Sequence, residues 1–559
     1  MRNKYGIKKD KKMSLLLISA MALVACSNDT EVDDTSSSEP VEQAETTQEA
    51  AETDVAVNKE GFPIVDQQIT LDILAPGVGQ AEWEDMPVMQ NYTELTNIAF
   101  NYTTPPQSDF ATRLNLAFAS GELPDLIYAG GPNSLNAAGE VDYGSQGLLI
   151  PLEDMLEEYA PNFYQLLEEN PAIRQSITTT DGHIYALPNV VQSDTASWIM
   201  GPVWYNGEWL DNLDVEAIPE TVDEFYELMI RFRDEDPNGN GQQDEIPISD
   251  VSMNGLRGWF MPAFGIKGWG IEEHDGQARY TFATDNFRAY LEYMNKLYQE
   301  GLLDRETFSQ SGEQKQAKGQ NNQIGVFQDW FSYFTTGQSE EEALNNPMFG
   351  PLTSEWQQEP VMPMDPGIKR GSFAITKENP YPEATLRWVD YFYSPEGYEY
   401  ISYGPEGYLW EWDEGGEEAG NKVYNEEVDK ENREQYRGTL TPAYGITIPA
   451  LTVELDPIGG SRSEFTDFIK EETDEKIVQH GEHIFPLVYL TAQEQEEVNT
   501  IKVDLETYIV ESEAAFITGN REINDDTWAE YIETLEKIGV RRIEEIHQAA
   551  YDRWVEAGE

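Results

Sequence analysis

Short apolar strands alternate with amphipathic helices along the first part of the folded sequence. Residues 69–76 and 98–105 have the composition of strands, and the segments that follow each of them have helical spacing. In the second of these segments Ser108 is a candidate N-cap, and Phe110, Leu114 and Phe118 fall four residues apart. Strands separated by helices predict an α/β fold with a largely parallel sheet, and ligands of such folds bind at the carboxyl ends of the strands.

The first 26 residues predict a targeting signal. Several lysines and one arginine precede the apolar run of residues 13–25, which is too short to cross a bilayer as a helix. Residues 27–60 are then rich in acidic and small polar side chains, with no Lys or Arg before Lys59. Such a segment buries too little apolar surface to fold, so we expect a disordered, extended tether.

The residues that end the apolar run resemble a bacterial lipobox. Leu23, Val24 and Ala25 precede Cys26, which is the only cysteine of the chain. The resemblance implies that Cys26 carries a lipid and becomes the first residue of the mature protein. We therefore expect a monomer anchored by lipid to the outer face of the cell membrane, as on a Gram-positive surface.

The net charge of the 559-residue chain is −68. Nucleic acids need a basic footprint, so this charge excludes them as partners. It also disfavours a polyanionic ligand at low salt. The charge therefore favours a neutral ligand.

One short segment has the composition of a calcium loop. In residues 236–245 the oxygen-bearing side chains of Asp236, Asn238 and Asn240 alternate with other residues around two glycines, and Asp244 follows. Counting from Asp236, the twelfth position, where an EF-hand needs glutamate, is Pro247. The segment is thus a calcium-loop candidate but not a complete EF-hand, and Glu245 is the expected closing carboxylate.

The acidic segment and its surroundings resemble a known family. The sequence DPNGNGQQDEIP, after a capped helix that starts at Thr221, is similar to the solute-binding lipoproteins that serve bacterial carbohydrate ABC importers, including those for alginate oligosaccharides. The similarity extends over nearly the whole mature chain. It implies a structural calcium ion, remote from the sugar, whose ligands are Asp236, Asn238, Asn240, the backbone of Gln242, Asp244 and Glu245.

The resemblance also implies two α/β lobes around a central cleft, each with a mostly parallel sheet. We expect lobe 1 at residues 61–190 and 368–403, and lobe 2 at residues 191–367 and 404–559. A protein of this family is not an enzyme: it captures an oligosaccharide and delivers it to the permease of the importer.

Aromatic side chains in loops after strands are the candidates for contact with a sugar, because rings stack on the apolar faces of sugars. These candidates are Trp83, Trp259, Trp330, Tyr408 and Trp410, although each could equally be a core residue. Two other functions stay open at this point. A glycan hydrolase would need two carboxylates at a fixed separation, and a surface receptor for a peptide or another solute could share the same lobes.

Overall fold

The computed structural model of the protein describes residues 55–128, 135–193, 197–413, 416, 421–460 and 463–558. The expected signal, Cys26 and most of the tether lie outside these residues. The described residues begin at residue 55, and Val57, which lies in the segment expected to be a tether, forms a β-bridge with Val65. In the part of the chain that is described, no helix has the length and apolarity needed to cross a membrane.

Fifteen strands are described, and two of them lie where the alternation of the sequence predicts them. The strands are β1 (Ile69–Leu74), β2 (Ile98–Thr103), β3 (Leu126–Tyr128), β4 (Leu187–Gln192), β5 (Val203–Tyr205), β6 (Ile246–Ser249), β7 (Ile271–His274), β8 (Gln277–Tyr280), β9 (Ile324–Gln328), β10 (Met362–Met364), β11 (Ile368–Ile375), β12 (Trp410–Trp412), β13 (Lys422–Tyr424), β14 (Leu451–Val453) and β15 (Gly481–His483).

Twenty α-helices surround the strands in the same part of the chain. They are α1 (Pro87–Thr96), α2 (Gln107–Ser120), α3 (Ala137–Ser145), α4 (Glu153–Tyr159), α5 (Pro161–Glu169), α6 (Pro171–Ile177), α7 (Gly207–Asn212), α8 (Val222–Asp234), α9 (Arg257–Phe260), α10 (Asp285–Gln299), α11 (Gly312–Gln320), α12 (Ser332–Thr336), α13 (Glu340–Ala343), α14 (Pro382–Asp390), α15 (Pro395–Tyr403), α16 (Arg433–Leu440), α17 (Glu464–Lys476), α18 (Ala492–Thr518), α19 (Asp525–Ile538) and α20 (Val540–Gly558).

The larger sheet has six strands in the order β14-β4-β11-β3-β1-β2. Strand β1 pairs in parallel with β2 and β3, as the βαβ pattern predicts. Strand β11 runs antiparallel to β3 and β4, so the sheet is mixed. Its edge strand β14 comes from the part of the chain that the sequence assigns to lobe 2, and the lobe boundaries remain a prediction.

The smaller sheet has three strands in the order β5-β9-β6. Strand β6 is parallel to β9, with Ile246 opposite Ile324 and Ser249 opposite Phe327. Strand β5 is antiparallel to β9. The residues before β5 and the residues after β6 and β9 therefore meet at one edge of this sheet.

Local sequence signals explain α8 but not the start of α2. In α8 the Thr221 hydroxyl and the Glu224 carboxylate form the predicted capping box, and Phe225, Leu228, Met229 and Phe232 are buried on one face. The prediction that Ser108 caps α2 is wrong, since α2 begins at Gln107 after Pro106. Proline fixes the backbone angle φ and needs no hydrogen bond from its nitrogen, so it can precede a helix without a side-chain cap.

Each of the two sheets has its own hydrophobic cluster. Tyr92, Trp388 and Phe392 are buried against the six-stranded sheet. Trp204, Phe225 and Phe327 are buried around the three-stranded sheet, where the C-terminal helices add Phe516 and Trp528. The carboxyl-terminal helices therefore contribute to the core of the smaller sheet.

A buried carboxyl group joins three segments that are distant in sequence. Glu140 of α3 is fully buried, and its Oε2 accepts a hydrogen bond of 2.8 Å from the Tyr489 hydroxyl. Arg370 of β11 lies over the Tyr489 ring, 4.3 Å from its centroid. Burial raises the pKa of Glu140 to about 7, against the opposing effects of Arg370 and Tyr489.

This raised pKa predicts that stability falls as pH rises. Between about pH 4.5 and about pH 7, Glu140 loses its proton in the unfolded chain but keeps it in the folded protein. Raising the pH through this range therefore favours unfolding. We expect Glu140→Gln to reduce this fall, as measured by urea unfolding across that pH range. Asp142→Asn on the same helix is the control, and an equal pH dependence in wild type and Glu140→Gln would contradict the assignment.

Candidate functional site

A cavity of about 540 Å³ opens at the edge of the three-stranded sheet where β6 and β9 end. Its walls come from residues 197–200 before β5, residues 254–269 after β6, the start of β10, and parts of α18 and of the segments around β15. We call it the aromatic cavity, because Trp198, Trp259 and Trp269 line it. Its place agrees with the expectation that ligands bind at the carboxyl ends of strands.

Two tryptophans, one before β5 and one after β9, stack at this edge. The rings of Trp198 and Trp330 lie 6.3 Å apart at an interplanar angle of 27°. Trp198 is 7% exposed and its indole N–H donates to the Thr473 hydroxyl at 3.1 Å, whereas Trp330 exposes 53% of its surface. Trp330 therefore presents an aromatic face to solvent while Trp198 supports it from behind.

Asp329 holds Trp330 in position. One carboxylate oxygen of Asp329 accepts the Trp330 backbone N–H at 2.9 Å, and the other accepts the Thr335 hydroxyl at 2.6 Å. The Asp329 backbone carbonyl accepts the Trp204 indole N–H at 3.0 Å. With its oxygens occupied in this way, Asp329 positions the tryptophan.

Arg257, which lines the aromatic cavity, forms an ion pair with the buried carboxylate of Glu513. The Arg257 Nε donates to the Glu513 carboxylate at 2.9 Å, and Nη1 donates to the Asn254 side-chain oxygen at 2.9 Å. The guanidinium also lies 4.4 Å from the centroid of the Trp269 ring. Burial lowers the pKa of Arg257, but the charge of Glu513 and its hydrogen bonds outweigh this and the pKa is raised overall. The cation is therefore already neutralised by protein groups.

The turn that carries Asn254 is fixed by a buried carboxylate. Oδ2 of Asp250 accepts the backbone N–H groups of Gly255 at 2.9 Å and Leu256 at 3.0 Å. Burial raises the pKa of Asp250, and the nearby Lys315 counteracts this shift. Buried Lys315 donates in turn to the backbone carbonyl of Gln328 at the end of β9. These contacts link the two strand ends that frame the aromatic cavity.

The structure places two of the predicted sugar-contacting residues at this edge. Trp330 is exposed there, and Trp259 lines the aromatic cavity although only 3% of it is exposed. Trp198, Asn254 and Trp269 also belong to the site and were not chosen from the sequence. The position of Trp198 just before β5 is the signal that could have identified it, since an antiparallel strand begins at the edge where its parallel neighbours end.

Trp83 lies in the core and not at this edge. It is 1% exposed, its indole N–H donates to the Pro76 carbonyl at 3.1 Å, and the Tyr128 ring packs against it edge-on at 5.4 Å. No face of Trp83 is left for a sugar. Its prediction as a ligand residue is therefore corrected to a structural role.

Tyr408 and Trp410 lie away from the aromatic cavity, in and before the β12–β13 hairpin. Tyr408 is 41% exposed, whereas Trp410 is 9% exposed and donates its indole N–H to the Gly404 carbonyl at 2.9 Å. The ammonium group of Lys422 lies 5.0 Å from the centroid of the Trp410 ring. Trp410 thus serves the core of the hairpin, and Tyr408 is the ring of this pair that a ligand could reach.

The predicted calcium segment forms a tight loop at the opposite end of β6. We call residues 236–245 the acidic loop; it follows α8 and leads directly into β6, so no second helix follows it. Asp236, Gly239 and Gly241 have positive φ angles of 50°, 66° and 74°. β6 has four residues, so at ~3.3 Å per residue the loop lies roughly 13 Å along the strand from the aromatic cavity's edge.

Hydrogen bonds inside the acidic loop hold its oxygen atoms near one another. Asp244 Oδ1 accepts the side-chain amides of Asn238 at 3.2 Å and Asn240 at 2.9 Å, and Asp236 accepts the Gly241 backbone N–H at 3.0 Å. Oε1 of Glu245 is buried and has no hydrogen-bond partner within the described chain. Burial, followed by the charges of Asp236 and Asp244, raises the pKa of Glu245.

These features fit a hard cation in part. An unpartnered buried carboxylate oxygen beside two further carboxylates is a set of oxygen donors that calcium prefers. In the conformation described, however, no three or more His, Cys, Asp or Glu side chains within the described residues are grouped closely enough to hold a metal ion.

The chain belongs to the family of bacterial extracellular solute-binding proteins, whose model matches residues 77–399. This membership agrees with the α/β fold, whose two main sheets have six and three strands, and with a cavity at the strand ends of the smaller one. Proteins of this family bind solutes and are not enzymes, as the sequence resemblance implied.

Three comparisons with known proteins show how far the similarity extends. The fructooligosaccharide ABC transporter substrate-binding protein FusA of Streptococcus pneumoniae is 28% identical over 489 residues, which are 84% of this chain and 87% of FusA. The structure of FusA in complex with kestose is 25% identical and has a TM-score of 0.67, covering 88% of this chain and 100% of FusA. The structure of a FusA EF-hand mutant in complex with fructo-nystose has the same identity and coverage and a TM-score of 0.68.

Because Trp83 is buried, we expect its substitution to change stability and not ligand binding. Trp83→Phe removes the hydrogen bond to Pro76 and leaves a small void, so we expect the free energy of unfolding to fall by about 1–3 kcal/mol. Ligand affinity, measured by calorimetry on the folded variant, should be unchanged. A loss of affinity with unchanged stability would show that Trp83 belongs to the binding site.

Proposed function

We propose that the protein is the lipid-anchored receptor of a carbohydrate importer, and that it captures a neutral oligosaccharide at the aromatic cavity for delivery to an ABC permease. The exposed face of Trp330, stacked on Trp198 beside the aromatic cavity, is the observation that carries the proposal. Sugars offer apolar C–H faces and many hydroxyls, which match an aromatic ring with amide and carbonyl groups nearby. Asn254 lines the cavity and supplies such an amide group.

The charges around the aromatic cavity favour a neutral ligand. Arg257 is held by Glu513, and the Lys267 ammonium lies 3.3 Å from the Glu482 carboxylate and 3.6 Å from that of Glu273. A carboxylated ligand would have to displace these acids and approach a chain of net charge −68. A neutral sugar would neither have to displace these acidic side chains nor be repelled by the negative charge of the chain.

The oligosaccharide class is supported by the relatives. FusA is described as the substrate-binding protein of a fructooligosaccharide ABC transporter, and its two structures are complexes with kestose and with fructo-nystose. A hydrolase is not a competing candidate once the family is known. The binding experiment below also tests whether the protein is instead a receptor for a peptide.

Removing the exposed ring should weaken sugar binding. Trp330→Ala loses the stacking face, and we expect affinity to fall about tenfold, or about 1.4 kcal/mol. The measurement is tryptophan fluorescence titration and calorimetry with neutral oligosaccharides, acidic oligosaccharides and peptides. Phe334→Ala, an exposed ring on α12, is the control.

The wild-type protein should bind neutral oligosaccharides and reject the acidic oligosaccharides. Binding of peptides alone would contradict the proposed function. If Trp330→Ala left the affinity for neutral sugars unchanged, the sugar-binding site would lie elsewhere in the protein.

The acidic loop holds a structural calcium ion in our proposal. Asp236, Asn238, Asn240, the backbone of Gln242, Asp244 and Glu245 would supply its oxygen ligands, and the ion would neutralise three carboxylates that otherwise repel one another. Three observations support this: the loop's composition, the unpartnered Glu245 oxygen, and the description of an EF-hand in FusA. Asp244 also accepts the Gln323 amide at 2.8 Å, so the ion would brace the start of β9.

Calcium removal should lower stability but not sugar affinity. With calcium at about 100 times its Kd, chelation costs about 2.7 kcal/mol and, for a folded chain of this size, lowers the melting temperature by roughly 2–4 °C. Glu245→Gln should reduce this calcium-dependent shift, whereas Glu235→Gln, outside the loop, should keep it. Loss of sugar binding in a folded Asp236→Ala variant would place the loop in the binding site instead.

The membrane attachment in our proposal depends on the sequence alone. Cys26, after the apolar run of residues 13–25, would carry the lipid, and residues 27–54 would separate the anchor from the folded chain. One lipidated cysteine and a tether of this length would hold a monomeric receptor close to its permease. Cys26 and these residues lie outside the described part of the protein.

A further inference from the structure

A second cavity of about 490 Å³ shares a wall with the aromatic cavity. Lys267 lines both cavities, and adjacent residues of the same segments divide between them. Met261 and Met362 line the aromatic cavity, while Pro262 and Val361 line the second cavity. The two cavities therefore lie side by side along the same two segments of the chain.

Lys267 and its two acidic partners, Glu482 and Glu273, stand where the two cavities meet. Lys267 reaches Glu482, which lines the second cavity, at 3.3 Å. The Glu482 side chain is 54% exposed and the Lys267 side chain 15% exposed. Ion pairs with one partner exposed to solvent contribute little stability, so ligand hydroxyl groups can replace or share their hydrogen bonds.

The second cavity contains an exposed indole that is held in place. Trp356 lines this cavity and exposes 43% of its surface. Its backbone N–H donates to the Ser354 hydroxyl oxygen at 3.0 Å, and that hydroxyl donates to the Ala263 carbonyl at 2.6 Å. The loop that carries the indole is thus fastened to the segment that separates the two cavities.

Amide side chains around Trp356 are oriented with their N–H groups toward the protein. Asn286 donates to the Phe264 carbonyl at 2.7 Å, and Gln357 donates to the Glu359 carbonyl at 2.8 Å. Their side-chain oxygens are acceptors for the hydroxyl groups of a ligand. Arg279, also at this cavity, is paired with the buried carboxylate of Glu272 and cannot serve as a free cation.

We propose that the second cavity is a further sugar subsite, which binds the outer residues of a neutral oligosaccharide too long for the aromatic cavity alone. Trp356 stacks on one sugar ring, and the chain crosses the Lys267–Glu482 pair between the two cavities. The inference rests on the proposed function, since it assigns a length preference to the same ligand. Negative side chains such as Glu273 and Asp275 at this cavity exclude an acidic sugar.

The test compares oligosaccharides that differ by one residue. Calorimetry with the trisaccharide kestose and the tetrasaccharide nystose comes first, followed by neutral glucan, mannan and xylan series up to hexasaccharides. Within the series that wild type binds, we expect affinity to rise with length. Trp356→Ala should remove that rise, weakening the longest sugar roughly fivefold while the shortest binds as before.

Two further variants complete the experiment. Trp356→Phe keeps a smaller ring and should restore part of the length preference, and Trp554→Ala, a tryptophan outside both cavities, should behave as wild type. A length preference that survives in Trp356→Ala would overturn the subsite while leaving the proposed function intact. If wild type bound no oligosaccharide at all, the proposed function and this inference would both be wrong.

Discussion

The parallel pairing of β6 with β9 determines where the aromatic cavity and the acidic loop lie. Because the two strands run in the same direction, both end at one edge, and the turns that follow bring Arg257 and Trp330 to that edge. The same pairing puts the acidic loop at the start of β6, next to the turn before β9, where Gln323 contacts Asp244. The acidic loop and the aromatic cavity thus lie at opposite ends of β6, separated by the length of a short strand.

The buried pair of Arg257 and Glu513 links this edge to the C-terminal helices. Glu513 is fully buried on α18, and the Arg257 side chain is 10% exposed. Removing one partner of such a pair leaves an uncompensated charge and costs about 3–5 kcal/mol. The pair therefore contributes twice: it fixes α9 against α18, and it removes a positive charge that would otherwise attract acidic ligands to the aromatic cavity.

Much of the fold followed from local sequence patterns. The βαβ alternation predicted β1 and β2, and the Thr221 capping box with its apolar spacing predicted α8 and its buried face. The mixed pairing of the larger sheet did not follow, because β11 joins β3 and β4 from residues more than 170 positions away. No local pattern reports such a pairing.

The site was harder to predict than the fold. Spacing placed Trp330 in a loop after a strand, and its exposure agrees with that reasoning. The same reasoning failed for Trp83, because a residue after a strand can turn inward, and here its N–H meets the Pro76 carbonyl. Trp269 owes its position to Arg257 and Phe282, two contacts that only the folded chain brings together.

A crystal structure of the protein with a bound neutral oligosaccharide would show directly whether the aromatic cavity binds sugar. We expect a sugar ring over the exposed face of Trp330, with the sugar entering the aromatic cavity beside Trp269, and the acidic loop free of sugar contacts. A sugar bound elsewhere, with Trp330 and Trp269 still exposed to solvent, would contradict it.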